Sequence, residues 1–218
     1  KNLLENGLAE SDWASAVGNP SVSALPPDRV VPANAADPNQ LNLFLYHVTP
    51  NQGWRNLGLP SRDHSGQPVS NPPLALDLHY LVTAYGADNL HAEILLGYAM
   101  QVLHETPGLG RDAIWAALNG GGATGLPPAL RKALARSELA DQLEQIKITP
   151  QVLNTEDMSK LWTAFNTHYR PTAVYQATVV LIEGRRAVQT PLPVLQRGAG
   201  DSGVAVQANL LPPVPTLI

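Results

Sequence analysis

Two long stretches of the chain alternate apolar and polar side chains, and a third repeats its apolar residues at helical spacing. From Leu74 to Tyr85, Leu74, Leu76, Leu78, Tyr80, Val82 and Ala84 fall on one side, and Ala75, Asp77, His79, Leu81, Thr83 and Tyr85 on the other. That alternation predicts a strand within residues 72–86. Its first face is expected to be core. The second, half apolar with Asp77 and His79 set into it, is expected to meet a helix or another subunit over part of its length. Leu90, Ile94, Leu95, Tyr98, Val102 and Leu103 then recur at helical spacing, with Asp88 or Asn89 available as N-cap and Pro107-Gly108 as the stop.

The segment 41–49 predicts a second strand, Leu41, Leu43, Leu45 and His47 opposing Phe44, Tyr46 and Val48, with both faces expected to be buried. Residues 172–183 predict a third, covered on both sides and therefore central in its sheet. Short strands are expected near 22–25 and 146–148. Lys1–Leu8 has the pattern of the last turns of a helix closed by Gly7, its beginning expected upstream. Further helices are expected over 112–118 and over 129–136, the latter opened by Pro127-Pro128 with Leu130 and Leu134 facing in. Asn154 with Asp157 three residues on marks the start of another, burying Leu161, Trp162 and Phe165. Strands separated by helices and long loops, without regular βαβ alternation, predict an α+β domain with a mostly antiparallel, mixed sheet packed with helices.

After residue 183 the pattern changes. Residues 184–218 hold five prolines, four glycines and four charged side chains, a composition suited to an extended arm lying on another surface. The expected organisation is therefore a domain over 1–183 and an extended Pro-rich arm over 184–218. Leu192, Val194, Leu195, Leu210 and Leu211 have no helical period, and Arg185, Arg186 and Arg197 are placed to pair with acidic patches on a neighbouring subunit. The long loop 50–73 contributes Arg55 and Arg62 to the same candidate subunit interface.

A formal charge of −4 with scattered basic residues offers no basic field for a phosphate backbone, so nucleic acid is not an expected partner. No apolar run reaches the roughly 18–20 residues needed to cross a bilayer, so membrane insertion is not expected. The chain has no cysteine, which rules out disulfides and thiolate zinc sites and suits a cytosolic birthplace.

The chemical motifs are weak. Gly120, Gly122 and Gly125 have dinucleotide-loop spacing but follow a helical pattern and precede Leu126-Pro127-Pro128, so they read as a helix connection. His104-Glu105 lacks the second histidine of the helical zinc motif. Asp77 and His79 share a strand face as an acid and base would, but no nucleophile elbow accompanies them, and a polar pair in a strand interface is the simpler reading. Arg55 and Asn56 beside Trp54 suit an anion or sugar, or equally a loop fixed by its guanidinium. No catalytic residue, cofactor or metal is expected.

Taken in order, LNLFLYHVTPN at 41–51, WRNLGLPSRD at 54–63, PPLALDLHYLVTAYG at 72–86, the helix at 90–104, IKITP at 146–150, LWTAFNTHYRPTAVYQATVVLIE at 161–183 and PLPVLQRGAGDSG at 191–203 resemble the cap, or tail-terminator, family of extracellular contractile injection systems, which are phage-tail-like particles. The resemblance implies a tail-terminator-like fold and a non-enzymatic role. It implies a homo-oligomer, a hexameric ring, that closes the inner tube and contacts the last sheath layer. Sheath and inner-tube proteins of the same particle are then the partners, with assembly in the cytoplasm and release with the particle. The alternative is a carbohydrate-binding or adhesin module, with Trp13, Trp54, Trp115 and Trp162 as stacking platforms; a hydrolase using Asp77 and His79 is a third reading.

Overall fold

A computed structural model describes residues 1–10, 17–32, 34–54, 71, 73–119, 128–135, 139–142, 144–182, 200 and 203. Its strands are β1 (Ser21–Ser23), β2 (Gln40–Pro50), β3 (Leu74–Tyr85), β4 (Gly108–Leu109), β5 (Ile146–Gln151) and β6 (Thr172–Ile182). Its α-helices are α1 (Asn2–Glu10), α2 (His91–Glu105), α3 (Arg111–Asn119), α4 (Pro128–Ala135) and α5 (Thr155–Ala164). The strands form one sheet in the order β1-β2-β3-β6-β5-β4. β1 runs parallel to β2 and every other pair is antiparallel. The fold is thus α+β with a mixed, mostly antiparallel sheet, as the patterning predicts, and β6 is central.

One face of the sheet carries the main core. Leu41, Val82, Ala84 and Tyr175 pack there against Leu4 and Leu8 of α1 and Leu95, Ala99, Val102 and Leu103 of α2. Leu41, Leu81, Val82 and Leu95 are at most 2% exposed, and burying each such side chain contributes roughly 1.5–3 kcal/mol. Farther along the same face, Ile114 of α3, Ala140 and Ile146 form a satellite cluster against Ala177 and Val180. On the opposite face Phe44 meets Phe165 edge-on at 5.6 Å, and Phe165 meets Trp162 of α5 at 6.1 Å.

Several local expectations need correction. Gly7 does not close α1; the helix runs through it to Glu10. A Cβ there would lie 2.9 Å from Val102 Cγ2, and the Tyr98 hydroxyl donates to the Gly7 carbonyl at 2.5 Å, so this glycine lets α1 and α2 approach closely. Neither Asp88 nor Asn89 caps α2. Its N-cap is Leu90 at φ 66 with no side-chain cap, and Asn39 instead braces the approach to the helix, its Oδ1 accepting from Ala87 N at 2.8 Å and lying 3.0 Å from His91 Nδ1.

β2 is not buried on both faces. Leu41 and Asn42 are buried, whereas Leu45, His47, Val48 and Pro50 are exposed, and an irregularity between Leu45 and His47 breaks the alternation. In β3 the face bearing Leu81, Thr83 and Tyr85 is buried, while Leu74 on the expected core face is 54% exposed. The strand crosses the middle of the core only in its second half. Leu130 of α4 is exposed rather than inward, and the side chain of Leu134 lies outside the described residues. The Asn154 cap is as predicted: its Oδ1 accepts from Asp157 N at 2.7 Å and its Nδ2 donates to Asp157 Oδ2 at 2.9 Å.

Candidate functional site

The second face of the sheet changes character along its length, from the aromatic packing of Phe44, Phe165 and Trp162 to a row of polar side chains. β3 places Asp77 and His79 on that face, β6 places Gln176 and Thr178, β5 places Gln151, and the end of β2 supplies Thr49 and Asn51. Asp77 Oδ1 accepts from Asn51 Nδ2 at 2.9 Å and from the Thr178 hydroxyl. Asn51 Oδ1 in turn accepts from Trp54 N at 2.9 Å, pinning the turn whose indole packs on Ala75, Val179 and Leu181.

His79 belongs to a separate chain of bonds. Its Nδ1 lies 2.9 Å from Gln151 Oε1, and its Nε2 lies 3.0 Å from Thr49 Oγ1. The Gln151 amide donates to Gln176 Oε1 at 2.5 Å. Because an amide oxygen can only accept, the network assigns a proton to Nδ1, and in that neutral tautomer Nε2 is the acceptor of the Thr49 hydroxyl. The adjacent Asp77 and His79 therefore face different partners, and both ring nitrogens are engaged in holding β2, β3 and β5 together. The strand-interface reading of this pair is the one the geometry fits. The His47 ring stands 5.4 Å from that of His79 and the Tyr46 ring 6.2 Å away; among the described residues no three His, Cys, Asp or Glu side chains converge as metal ligands.

Two further surfaces are open. Beside α5, Thr155, Ser159, Trp162, Thr163, His168 and Tyr169 line a depression of about 600 Å³, with Tyr169 62% and the adjoining Val152 98% exposed. At the sheet edge, β1 covers β2 only from Gln40 to Asn42. Asn42, fully buried, ends that pairing with its side chain. Its Oδ1 accepts from Ser23 Oγ at 2.7 Å and Leu25 N at 2.9 Å, and its Nδ2 donates to Leu25 O at 2.9 Å. Main-chain pairing is thereby replaced at the point where β1 departs.

Of the residues expected at a subunit interface, Arg55, Arg62, Arg185, Arg186, Leu192, Val194, Leu195, Arg197, Leu210 and Leu211 all lie outside the described residues. So do Asn56, Trp13 and the glycine loop. The polar row was only half legible: alternation found Asp77 and His79, but nothing local marks Asn51, Gln151 or Thr178 as their partners.

No curated protein matches the chain. Two solved structures are similar in fold. One is the sheath/tube terminator of the extracellular contractile injection system PVC in its extended state, at 13% identity and TM-score 0.48, the alignment covering 90% of this chain and 64% of that one. The other is the tube-terminating cap of the anti-feeding prophage, at 12% identity and TM-score 0.47, covering 91% of this chain and 59% of that one. The chain thus spans less than two thirds of either structure. The model of the Pvc16 N-terminal domain matches residues 1–196, which bears out the family resemblance read from the sequence: the chain belongs to the Pvc16 N-terminal domain family.

Proposed function

We propose that this chain is a structural cap that terminates the inner tube and contractile sheath of a phage-tail-like contractile injection system, acting as a hexameric ring and not as an enzyme. The observation that carries the reading is the family match over residues 1–196. The engagement of Asp77 and His79 in strand-to-strand hydrogen bonds supports a structural use of the polar residues. Its partners are further copies of itself and the sheath and tube proteins of the same particle, met during assembly in the cytoplasm. The arm 184–218 and Arg55 and Arg62 supply contacts between copies.

A growing helical polymer keeps an open end until something blocks it. Deleting the gene is therefore expected to give particles of uncontrolled or unstable tube and sheath length. Electron micrographs of normal, fully capped particles from the deletion strain would overturn the proposal.

The second reading, a carbohydrate-binding module, draws on the open depression beside Trp162 and Tyr169. Trp162 itself is only 3% exposed and is packed edge-on against Phe165 and Tyr169, the position of an anchor rather than a stacking platform. A glycan array with no bound glycan disposes of it.

A further inference from the structure

The outer side of β2 is the place where the fold is incomplete by its own rules. β2 runs from Gln40 to Pro50, yet among the described residues it has an outer neighbour only at Gln40–Asn42. Among the described residues no strand lies beside the outward main-chain groups of Leu43–Pro50. Natural sheets blunt such edges with charge, usually lysine, or cover them. No residue of β2 is charged, and Leu45 and Val48 are 39% and 43% exposed along it. Its protective devices among the described residues are the irregularity between Leu45 and His47 and Pro50 at its end.

The same chain contains a segment that matches the edge. In residues 204–211, Val204, Val206, Ala208 and Leu210 alternate with Ala205, Gln207, Asn209 and Leu211. That is the period-two pattern of a strand with one apolar face. It contains no charge and no proline, so no N–H is missing from it, and it is as long as Leu43–Pro50. We propose that residues 204–211 of a neighbouring copy add to the β2 edge as an extra strand, held by main-chain hydrogen bonds with Leu45 and Val48 flanked by its apolar face. The proposal rests on the reading of the arm as an assembly element and names where the arm binds. Residues 183–203, extended at about 3.3 Å each, reach easily from the end of β6 to a neighbour.

The test uses the full-length chain. In the Val206→Pro, Gln207→Pro variant at least one ladder donor is lost whichever edge of the strand faces β2, and amide exchange at 43–50 is expected to speed up by about tenfold or more while the rest of the domain keeps its protection. Because the chain has no cysteine, copies carrying His47→Cys can be co-expressed with copies carrying Cys at 205, 207 or 209. Oxidation is expected to give a disulfide-linked dimer for at least one pair. Unchanged exchange at 43–50 in the proline variant, or a disulfide formed only within single chains carrying both cysteines, overturns the proposal. Truncation after Glu183 separates the two levels. A truncated chain that keeps the mass of the full assembly removes the arm reading itself. One that falls apart while the proline variant keeps the edge protected removes only the β2 site.

Discussion

At the scale of single residues, Tyr85 shows how burial sets chemistry. It is 3% exposed, its hydroxyl is buried with no hydrogen-bond partner among the described residues, and the Arg170 guanidinium lies 5.7 Å from its ring centre. Burial raises the phenol from 10.0 to about 12, with Arg170 pulling the other way and Asp37 pushing up. Since the folded state favours the neutral phenol, this contribution to stability is complete below pH 10 and is lost as the pH rises from about 10 through about 12. Tyr85→Phe is expected to fold as well as the parent or better by up to about 1 kcal/mol, because an unsatisfied hydroxyl is removed. It should also lack that part of the alkaline slope, which urea titrations at several pH values would read. Nothing in the sequence marks this residue as unpaired. Nor does it mark Gln142, whose Nε2 donates to Val179 O at 3.1 Å and whose Oε1 accepts from Leu181 N at 3.2 Å, standing in for a strand neighbour beside β6. Such roles depend on what tertiary folding brings near, and a window of sequence does not contain it.

Among the elements, those with local causes were legible. α5 begins where Asn154 and Asp157 say it does, and Asn154→Ala is expected to cost about 1 kcal/mol in thermal or urea unfolding. α2 was found by its apolar period, but its start was not, because no side chain caps it and the first turn is entered through Leu90 at φ 66. A leucine in that conformation is strained, and this one is 68% exposed. Leu90→Gly is therefore expected to leave stability unchanged or raise it by up to about 1 kcal/mol, judged by the shift in unfolding midpoint. Strand existence was clear and strand burial was not. Alternation placed Leu78 and Val179 equally in the core, whereas Val179 is 7% exposed, beside Ala75 and Leu181, and Leu78 is half-buried. Val179→Asp is expected to remove several kcal/mol and abolish cooperative folding, while Leu78→Asp leaves a soluble, weakened domain. Equal damage from the two would mean that β3 is buried from end to end.

For the whole molecule, fold class was legible because the periods of two and 3.6 are separated along the chain, but strand order was not. No local signal tells β3 to take β6 as its partner across helices α2 to α5 and strands β4 and β5. The cap reading makes a whole-molecule prediction of its own: the full-length chain is expected to have the mass of a closed ring in light scattering, and a strictly monomeric chain at all concentrations would count against it. The β3–β6 ladder also bears on how the chain reaches this state. Thr83 and Thr172, hydroxyls 3.2 Å apart at one end of that ladder, are 89 residues apart in sequence. The two strands that organise the sheet cannot meet until a loop of that size closes, and long-range pairing of this kind slows refolding relative to helical domains of similar length. Stopped-flow measurements should find that Leu81→Ala, paired with Val174 across the ladder, retards folding. Asn154→Ala, acting within one helix, should mainly hasten unfolding. During synthesis β3 emerges well before its partner, so its apolar edge stays open until β6 arrives, and that interval is when the chain is most exposed to pairing with the wrong neighbour.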